Sequence, residues 1–181
     1  MTPQPPLEIT ERFATTLEHL SAGGQTWSLL VVEDTNVLVD AITPERFAGD
    51  ERLPYWAELW TSAIALARAL RTNADLKGKS LLDLGCGLGL TGIAAAQAGA
   101  HVTMTDYDDD ALLFARWNLR SNLTPSELSR VEVRKLDWRQ PEGLGRFDMI
   151  LRHCGRISRR RVHLPAPFRT TQAWEWYRSS L

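Results

Sequence analysis

The chain has 181 residues, 44% of them hydrophobic and 24% charged, with a formal net charge of −1. This composition fits a single globular domain and excludes a disordered chain, a collagen-like repeat or a disulfide scaffold. The near-neutral total hides a split, because residues 152–181 carry seven arginines and one acid, Glu175, a balance of +6 that leaves −7 for residues 1–151.

The opening stretch MTPQPPLEIT lacks a basic segment followed by an apolar run. No stretch approaches the ~18 uninterrupted apolar residues that span a bilayer. Both features predict a soluble, cytoplasmic protein without a membrane partner. Two cysteines, Cys86 and Cys154, make neither a disulfide framework nor a metal motif, and there is no CxxC or HExxH spacing. Reduced thiols and no bound metal are expected.

In chain order, QTWSLLVVEDTNVLVDAI (Gln25 to Ile42) places two β-branched, aliphatic runs around Glu-Asp-Thr-Asn and predicts a hairpin. LPYWAELWTSAIALARAL repeats apolar residues at helical spacing from Trp56 to Leu70 and predicts a helix opened by Pro54. The next stretch parses as a strand (Ser80 to Leu84), a glycine-rich turn, a small-residue helix from about Leu90 to Ala98, and a strand (His101 to Thr105). A second helix follows, with Asp108 as N-cap and Asp109 and Asp110 in its first turn, where the helix dipole favours negative charge. RVEVRKLDW and RFDMIL supply a third and a fourth strand. Strands alternating with helices predict a parallel sheet covered on both faces.

Chemistry is concentrated at the first strand-to-helix turn. Gly85, Gly87 and Gly89 remove side chains where the backbone bends and where a ligand can approach main-chain N–H groups at a helix N-terminus. Close strand–helix packing explains the same glycines. Gly87, Gly89 and Gly92 also satisfy GxGxxG, the dinucleotide fingerprint. An acid at the end of the second strand, Asp106, suits ribose hydroxyls under either reading and does not separate them. The wider pattern does: Asp83 inside the first strand, the turn DLGCGLG, and LDW closing the third strand.

On LPYWAELWTSAIALARAL, LLDLGCGLGLTGIAAAQAGAHVTMTDYDDDALLFARWNLRSN and VEVRKLDWR, the sequence resembles the class I S-adenosylmethionine-dependent methyltransferases. Within them it is similar to the seven-strand protein-lysine methyltransferases and the relatives described as nicotinamide-N-methyltransferase-like. The resemblance covers roughly residues 25–151. It implies an α/β, Rossmann-like three-layer sandwich with an N-terminal β-hairpin and strand order 3-2-1-4-5-7-6. It also implies S-adenosyl-L-methionine as cofactor and a protein lysine as methyl acceptor, with a small-molecule nitrogen as the alternative.

By position, the resemblance gives Gly85, Gly87 and Gly89 the methionine part of the donor, with Asp83 helping to orient its amino group. Asp106 would hold the ribose diol beside Tyr107. Asp137 would accept from the adenine amino group, with Trp138 flat against the ring. Glu58 and Trp60, from the helix before the first strand, would close over the donor. Trp56 and Trp117 are expected in the core, Asp109 and Asp110 at a solvated helix start, and His19 and His101 in structural or exposed positions. No catalytic residue is identified.

After the fourth strand the resemblance calls for Ala-Asp-Val, a hydrophobic residue and Tyr, where this chain has RHCGRIS. That stretch can be encoded as CGC CAT TGC GGA CGT ATA TC, and dropping the first base gives Ala-Ile-Ala-Asp-Val-Tyr. The chain therefore divides into a donor-binding domain over residues 1–151 and an arginine-rich, non-family tail over 152–181, expected to be out-of-frame or truncated sequence. The fold would then be incomplete and its fourth strand an uncovered edge. A competing, non-enzyme reading makes the chain a degenerate donor-binding scaffold without turnover, or takes the tail's arginines with Trp174, Trp176 and Tyr177 as an RNA-binding module. It is the weaker one, because LPAPFRTTQAWEWYRSSL has no helical face.

Overall fold

A computed structural model of the chain describes residues 4–22, 24–50, 53–72, 76–138, 144–152, 156–158 and 162–163. The elements run α1 (Leu7–Thr10), β1 (Thr15–Ala22), β2 (Gln25–Val32), α2 (Asn36–Asp40), α3 (Pro44–Asp50), a 3-10 turn (Tyr55–Ala57) and α4 (Thr61–Arg71). The α/β core follows with β3 (Ser80–Leu84), α5 (Leu90–Gln97), β4 (His101–Asp106), α6 (Asp109–Asn122), α7 (Pro125–Leu128), β5 (Val131–Lys135), β6 (Arg146–Phe147), β7 (Met149–Arg152), β8 (Arg156–Ser158) and β9 (Val162–His163). No described helix is long and apolar enough to cross a membrane.

The central sheet has the order β5-β4-β3-β7-β8, with the first four strands parallel and β8 antiparallel to β7. The predicted 3-2-1-4 order therefore holds for the first four strands. The fourth is not an uncovered edge, because Ile150 pairs with Ser158 and Arg152 with Arg156. β6 pairs with β9 separately. The bend at Asp148 divides the predicted fourth strand in two: its carboxylate accepts from the Ser80 N–H at 3.0 Å and the Ser80 hydroxyl at 2.9 Å, fastening β7 to the start of β3. Most of the arginine-rich tail, with Cys154, Trp174, Trp176 and Tyr177, lies outside the described residues.

Strand alternation sorts the sheet's side chains onto two faces. Leu81, Val102, Met104, Met149 and Leu151 join the larger core with residues of α4, α5 and α6. Leu82 and Ile150 point the other way and cluster with Leu136, Leu144 and Phe147. α5 is buried along its length from Leu90 to Ala96. A helix this apolar on every side belongs inside, and its small residues let it sit close to the sheet. α4 buries Ala63, Leu66, Ala67 and Leu70, a stripe at helical spacing, and carries Arg68 and Arg71 in its last turn.

Two predicted elements are displaced. The hairpin is β1–β2, not Gln25 to Ile42, and Ala22 pairs with Gln25 across a turn in which Gly24 takes a φ of +77°. The second predicted strand is instead the short helix α2, whose Val37 and Val39 are exposed. The helix predicted from Pro54 starts later: Tyr55–Ala57 forms a 3-10 turn, Glu58 is extended, and Trp60 is the N-cap of α4.

Gly92, in α5, shows why the small residues matter. A Cβ there would lie 2.7 Å from Met104 Cγ and closer still to Met104 Sδ. Overpacking of this kind costs about 1–3 kcal/mol, more than the roughly 1 kcal/mol that alanine gains over glycine in a helix. Gly92→Ala is thus expected to lower stability in urea denaturation. In a Met104→Ala background the same change should raise it, so the two effects carry opposite signs.

Candidate functional site

In a parallel sheet all carbonyl ends lie on one edge, and connections leave from that edge. Asp83 sits next to last in β3, Asp106 ends β4, and Asp137 follows β5 by two residues. The topology therefore brings these three carboxylates to one edge on adjoining strands.

The glycine-rich turn is held from several sides. Gly85 and Cys86 both donate N–H to the Thr105 carbonyl at 2.9 Å, Gly87 donates to Asp106 Oδ2 at 2.9 Å, and Gly89 donates to the Cys86 carbonyl at 2.9 Å. These four amides are thus engaged within the protein, contrary to the expectation that the turn's N–H groups face a ligand. Gly87 has a φ of +50°, and a Cβ on it would stand 3.0 Å from the Trp56 carbonyl oxygen. Gly89 adopts a φ of +90° as N-cap of α5, and a Cβ there would meet Met104 Cε at 3.0 Å. Close packing accounts for both glycines.

Asp106 is half-buried, and each of its oxygens accepts one backbone N–H: Oδ2 from Gly87 and Oδ1 from Asp108 at 3.1 Å. A carboxylate has about four acceptor positions, so each oxygen retains one for a pair of hydroxyls. Asp83 is buried, and its Oδ2 accepts the Thr91 hydroxyl at 2.7 Å, joining β3 to the first turn of α5. Burial, with Asp83 and Asp106 nearby, pushes the Cys86 thiol well above its ordinary pKa. It stays a neutral core side chain, not a nucleophile.

Tyr107 is half-buried with the Lys135 ammonium 5.7 Å from its ring centroid, and Lys135 pairs with Asp109 at 2.6 Å. Arg12 reaches Asp110 through two 2.7 Å contacts. Asp109 is thus exposed as expected while Asp110 is half-buried, and the two pairs bridge the start of α6 to the turn after α1 and to β5. Asp137 is half-buried, and Trp138 is 39% exposed, a flat surface beside the strand end.

Glu58 and Trp60 are exposed and lie before α4, not within it. Trp60 donates its indole N–H to the Tyr55 carbonyl at 3.0 Å and closes the 3-10 turn. Glu58 accepts the Thr35 hydroxyl at 3.1 Å and lines a cleft of about 290 Å³ with Val32, Glu33, Asp34, Asn36 and Leu59. None of the glycine-turn residues lines that cleft. Trp56 packs its ring against Phe13 and Phe114, and Trp117 is buried, as expected of core residues. His19 and His101 are exposed.

Sequence reasoning missed Asn118 and Asn122. Asn118 is fully buried on α6, donates to the Leu88 carbonyl in the glycine-rich turn at 2.9 Å, and bonds both backbone groups of Leu30. The signal available was their spacing of four on a helix predicted to face the core.

A family described as lysine methyltransferase matches residues 51–153. The chain is 41% identical over 97 residues to protein N-lysine methyltransferase METTL21A of Xenopus tropicalis, covering 52% of this chain and 45% of the relative. It is 40% identical over 101 residues to the electron transfer flavoprotein beta subunit lysine methyltransferase of Rattus norvegicus, covering 54% and 37%. Among solved structures, magnesium protoporphyrin IX methyltransferase from Synechocystis PCC 6803 with bound SAH aligns with a TM-score of 0.45 at 21% identity, over 66% of this chain and 57% of that one. The chain spans less than half the length of the curated relatives it matches.

Asp108 caps α6 by accepting the Asp110 N–H at 2.9 Å, and burial, reinforced by Asp110, Asp106 and Asp109, raises its pKa. A carboxyl whose pKa is raised on folding contributes stability present below its unfolded pKa and lost as pH rises through the folded value. Asp108→Asn, which keeps the capping oxygen, should therefore be more stable than the parent at pH 7, with the difference fading near pH 3.5. Asp108→Ala, which loses the cap, should cost about 1 kcal/mol. Urea denaturation at the two pH values measures both.

Proposed function

This chain belongs to the lysine methyltransferase family, and we propose that the carbonyl edge of its sheet binds S-adenosylmethionine for methyl transfer to a protein lysine side chain. The observation that carries this reading is Asp106, a carboxylate at a strand end whose two oxygens are each oriented by one backbone N–H and each retain an acceptor position. Such a group suits the two adjacent hydroxyls of a ribose. Asp137 and the exposed Trp138 at the neighbouring strand end supply an acceptor and a flat apolar surface for a heteroaromatic ring.

When bound, the donor would supply an electrophilic methyl on a sulfonium: a neutral amine attacks that carbon in line with the departing sulfur, the N–C bond forms as the C–S bond breaks, a neutral thioether leaves, and the methylated ammonium gives up a proton. The described residues serve the donor side of this reaction. Asp106 holds and orients, the glycine-rich turn fixes the position of Asp106 through the Gly87 N–H, and Asp83 with Thr91 keeps α5 seated against β3. The acceptor lysine has to arrive deprotonated, which requires desolvation or a proton acceptor beside it. A protein substrate follows the relatives, whose names are those of protein lysine methyltransferases. We propose a cytoplasmic location, which two cysteines with reduced thiols suit.

Calorimetric titration of the purified chain with S-adenosylhomocysteine tests the reading. We expect binding, and we expect Asp106→Asn to weaken it roughly 10- to 100-fold, the effect of removing a hydrogen bond to a charged group. A folded chain that takes up no ligand would overturn the assignment.

A further inference from the structure

The two asparagines one turn apart on α6 treat the hairpin alike and the glycine-rich turn differently. Asn118 Oδ1 accepts the Leu30 N–H at 2.7 Å, and its Nδ2 donates to the Leu30 carbonyl at 3.2 Å. Asn122 Oδ1 accepts the Ser28 N–H at 2.9 Å, and its Nδ2 donates to the Ser28 carbonyl at 2.8 Å. Each carboxamide thus imitates a strand residue along the outer edge of β2. The second Nδ2 hydrogens part company: that of Asn122 returns to its own helix at the Asn118 carbonyl, 2.7 Å, whereas that of Asn118 reaches the Leu88 carbonyl, 2.9 Å.

Leu88 lies between Gly87, whose N–H orients Asp106, and Gly89, the N-cap of α5. We propose that Asn118 is a positioning residue for the donor site: its carboxamide holds the Leu88–Gly89 peptide, whose Gly89 N–H bonds the Cys86 carbonyl, and so orients the Gly87 N–H of that same Cys86–Gly87 peptide toward Asp106. The hairpin is then mechanically coupled to the donor site, since one side chain bonds Leu30 and Leu88 at once. Asn122 lacks the bond to the turn and serves the fold alone. This inference rests on the reading of the carbonyl edge as a donor site.

The test compares Asn118→Ala with Asn122→Ala in the full chain, with S-adenosylhomocysteine affinity measured well below the melting temperature of each. Both variants should melt earlier than the parent, but only Asn118→Ala should bind the ligand at least tenfold more weakly. Equal affinity in the two variants would overturn the proposal, because a purely structural asparagine predicts no difference between them once both are folded.

Should Asn118→Ala not fold, the unsubstituted chain gives an independent readout through amide hydrogen exchange. Ligand should slow exchange of the Leu30 N–H, bonded to Asn118, at least tenfold more than that of the Ser28 N–H, bonded to Asn122. Equal protection of the two sinks the inference. If the unsubstituted chain binds no ligand at all, it is the donor-site reading that fails.

Discussion

A carboxamide buried on a helix has to satisfy two donors and an acceptor where no water reaches it, and an unsatisfied buried group costs about 1–3 kcal/mol. Asn118 meets this constraint with partners from two other segments, β2 and the glycine-rich turn. These bonds and the shared core of Trp27, Leu29, Leu30, Leu88, Phe114 and Trp117 together fix the arrangement of hairpin, α6 and turn. Around it the same economy recurs: Trp27, fully buried in β2, donates its indole N–H to Gln97 Oε1 at 2.9 Å, and Gln97 donates to the Asn122 carbonyl at 3.1 Å. The polar atoms carry register, while the surrounding leucines and alanines carry the burial energy.

Negative charge gathers at the start of α6, where Asp106, Asp108, Asp109 and Asp110 fall within five residues. Repulsion among them would oppose folding, and three features offset it. The helix N-terminus stabilises anions there, Asp108 and Asp106 accept backbone N–H groups, and Arg12 and Lys135 pair with Asp110 and Asp109. Exposed pairs of this sort contribute little stability, at most about 1 kcal/mol each. Their effect is better described as geometric: they fasten the turn after α1 and the end of β5 to the helix that follows Asp106, on the edge where Tyr107 lies.

The stretch from β3 to β5 was legible because its signals reinforce one another. Short aliphatic runs alternate with a small-residue helix and a capped amphipathic helix, and Asp108 caps where the sequence places it. The hairpin was misplaced because β1 carries Glu18, His19 and Ser21 on an exposed strand with little apolar alternation, while the glycines after Ala22 were passed over for Glu-Asp-Thr-Asn. Pro54 suggested a helix start, yet two exposed aromatic rings, Tyr55 and Trp60, pack edge to face at 5.9 Å around a 3-10 turn instead. In the site, Asp106 could be found because strand-end acids follow from topology. Asn118 offered only its spacing of four from Asn122, a signal that gains meaning once the hairpin is seen to lie on α6.

The glycines show where a motif and its physical cause part company. A turn written G-C-G-L-G suggests amides presented to a phosphate or carboxylate, but here four of those amides bond to Thr105, Asp106 and Cys86. What the glycines permit is a left-handed backbone together with proximity: Gly87 and Gly89 have φ of +50° and +90°, and a Cβ on either would crowd Trp56 or Met104 at 3.0 Å. With those four amides engaged, the proposed donor site draws on the carboxylates of the strand ends. Because the strands run parallel, Asp83, Asp106 and Asp137, each fixed to its own strand by local sequence, arrive at one edge together. Shortening or bulging one strand by a single residue would turn its acid to the opposite face, so the co-location depends on the register set by the backbone ladders of β3 with β4 and of β4 with β5.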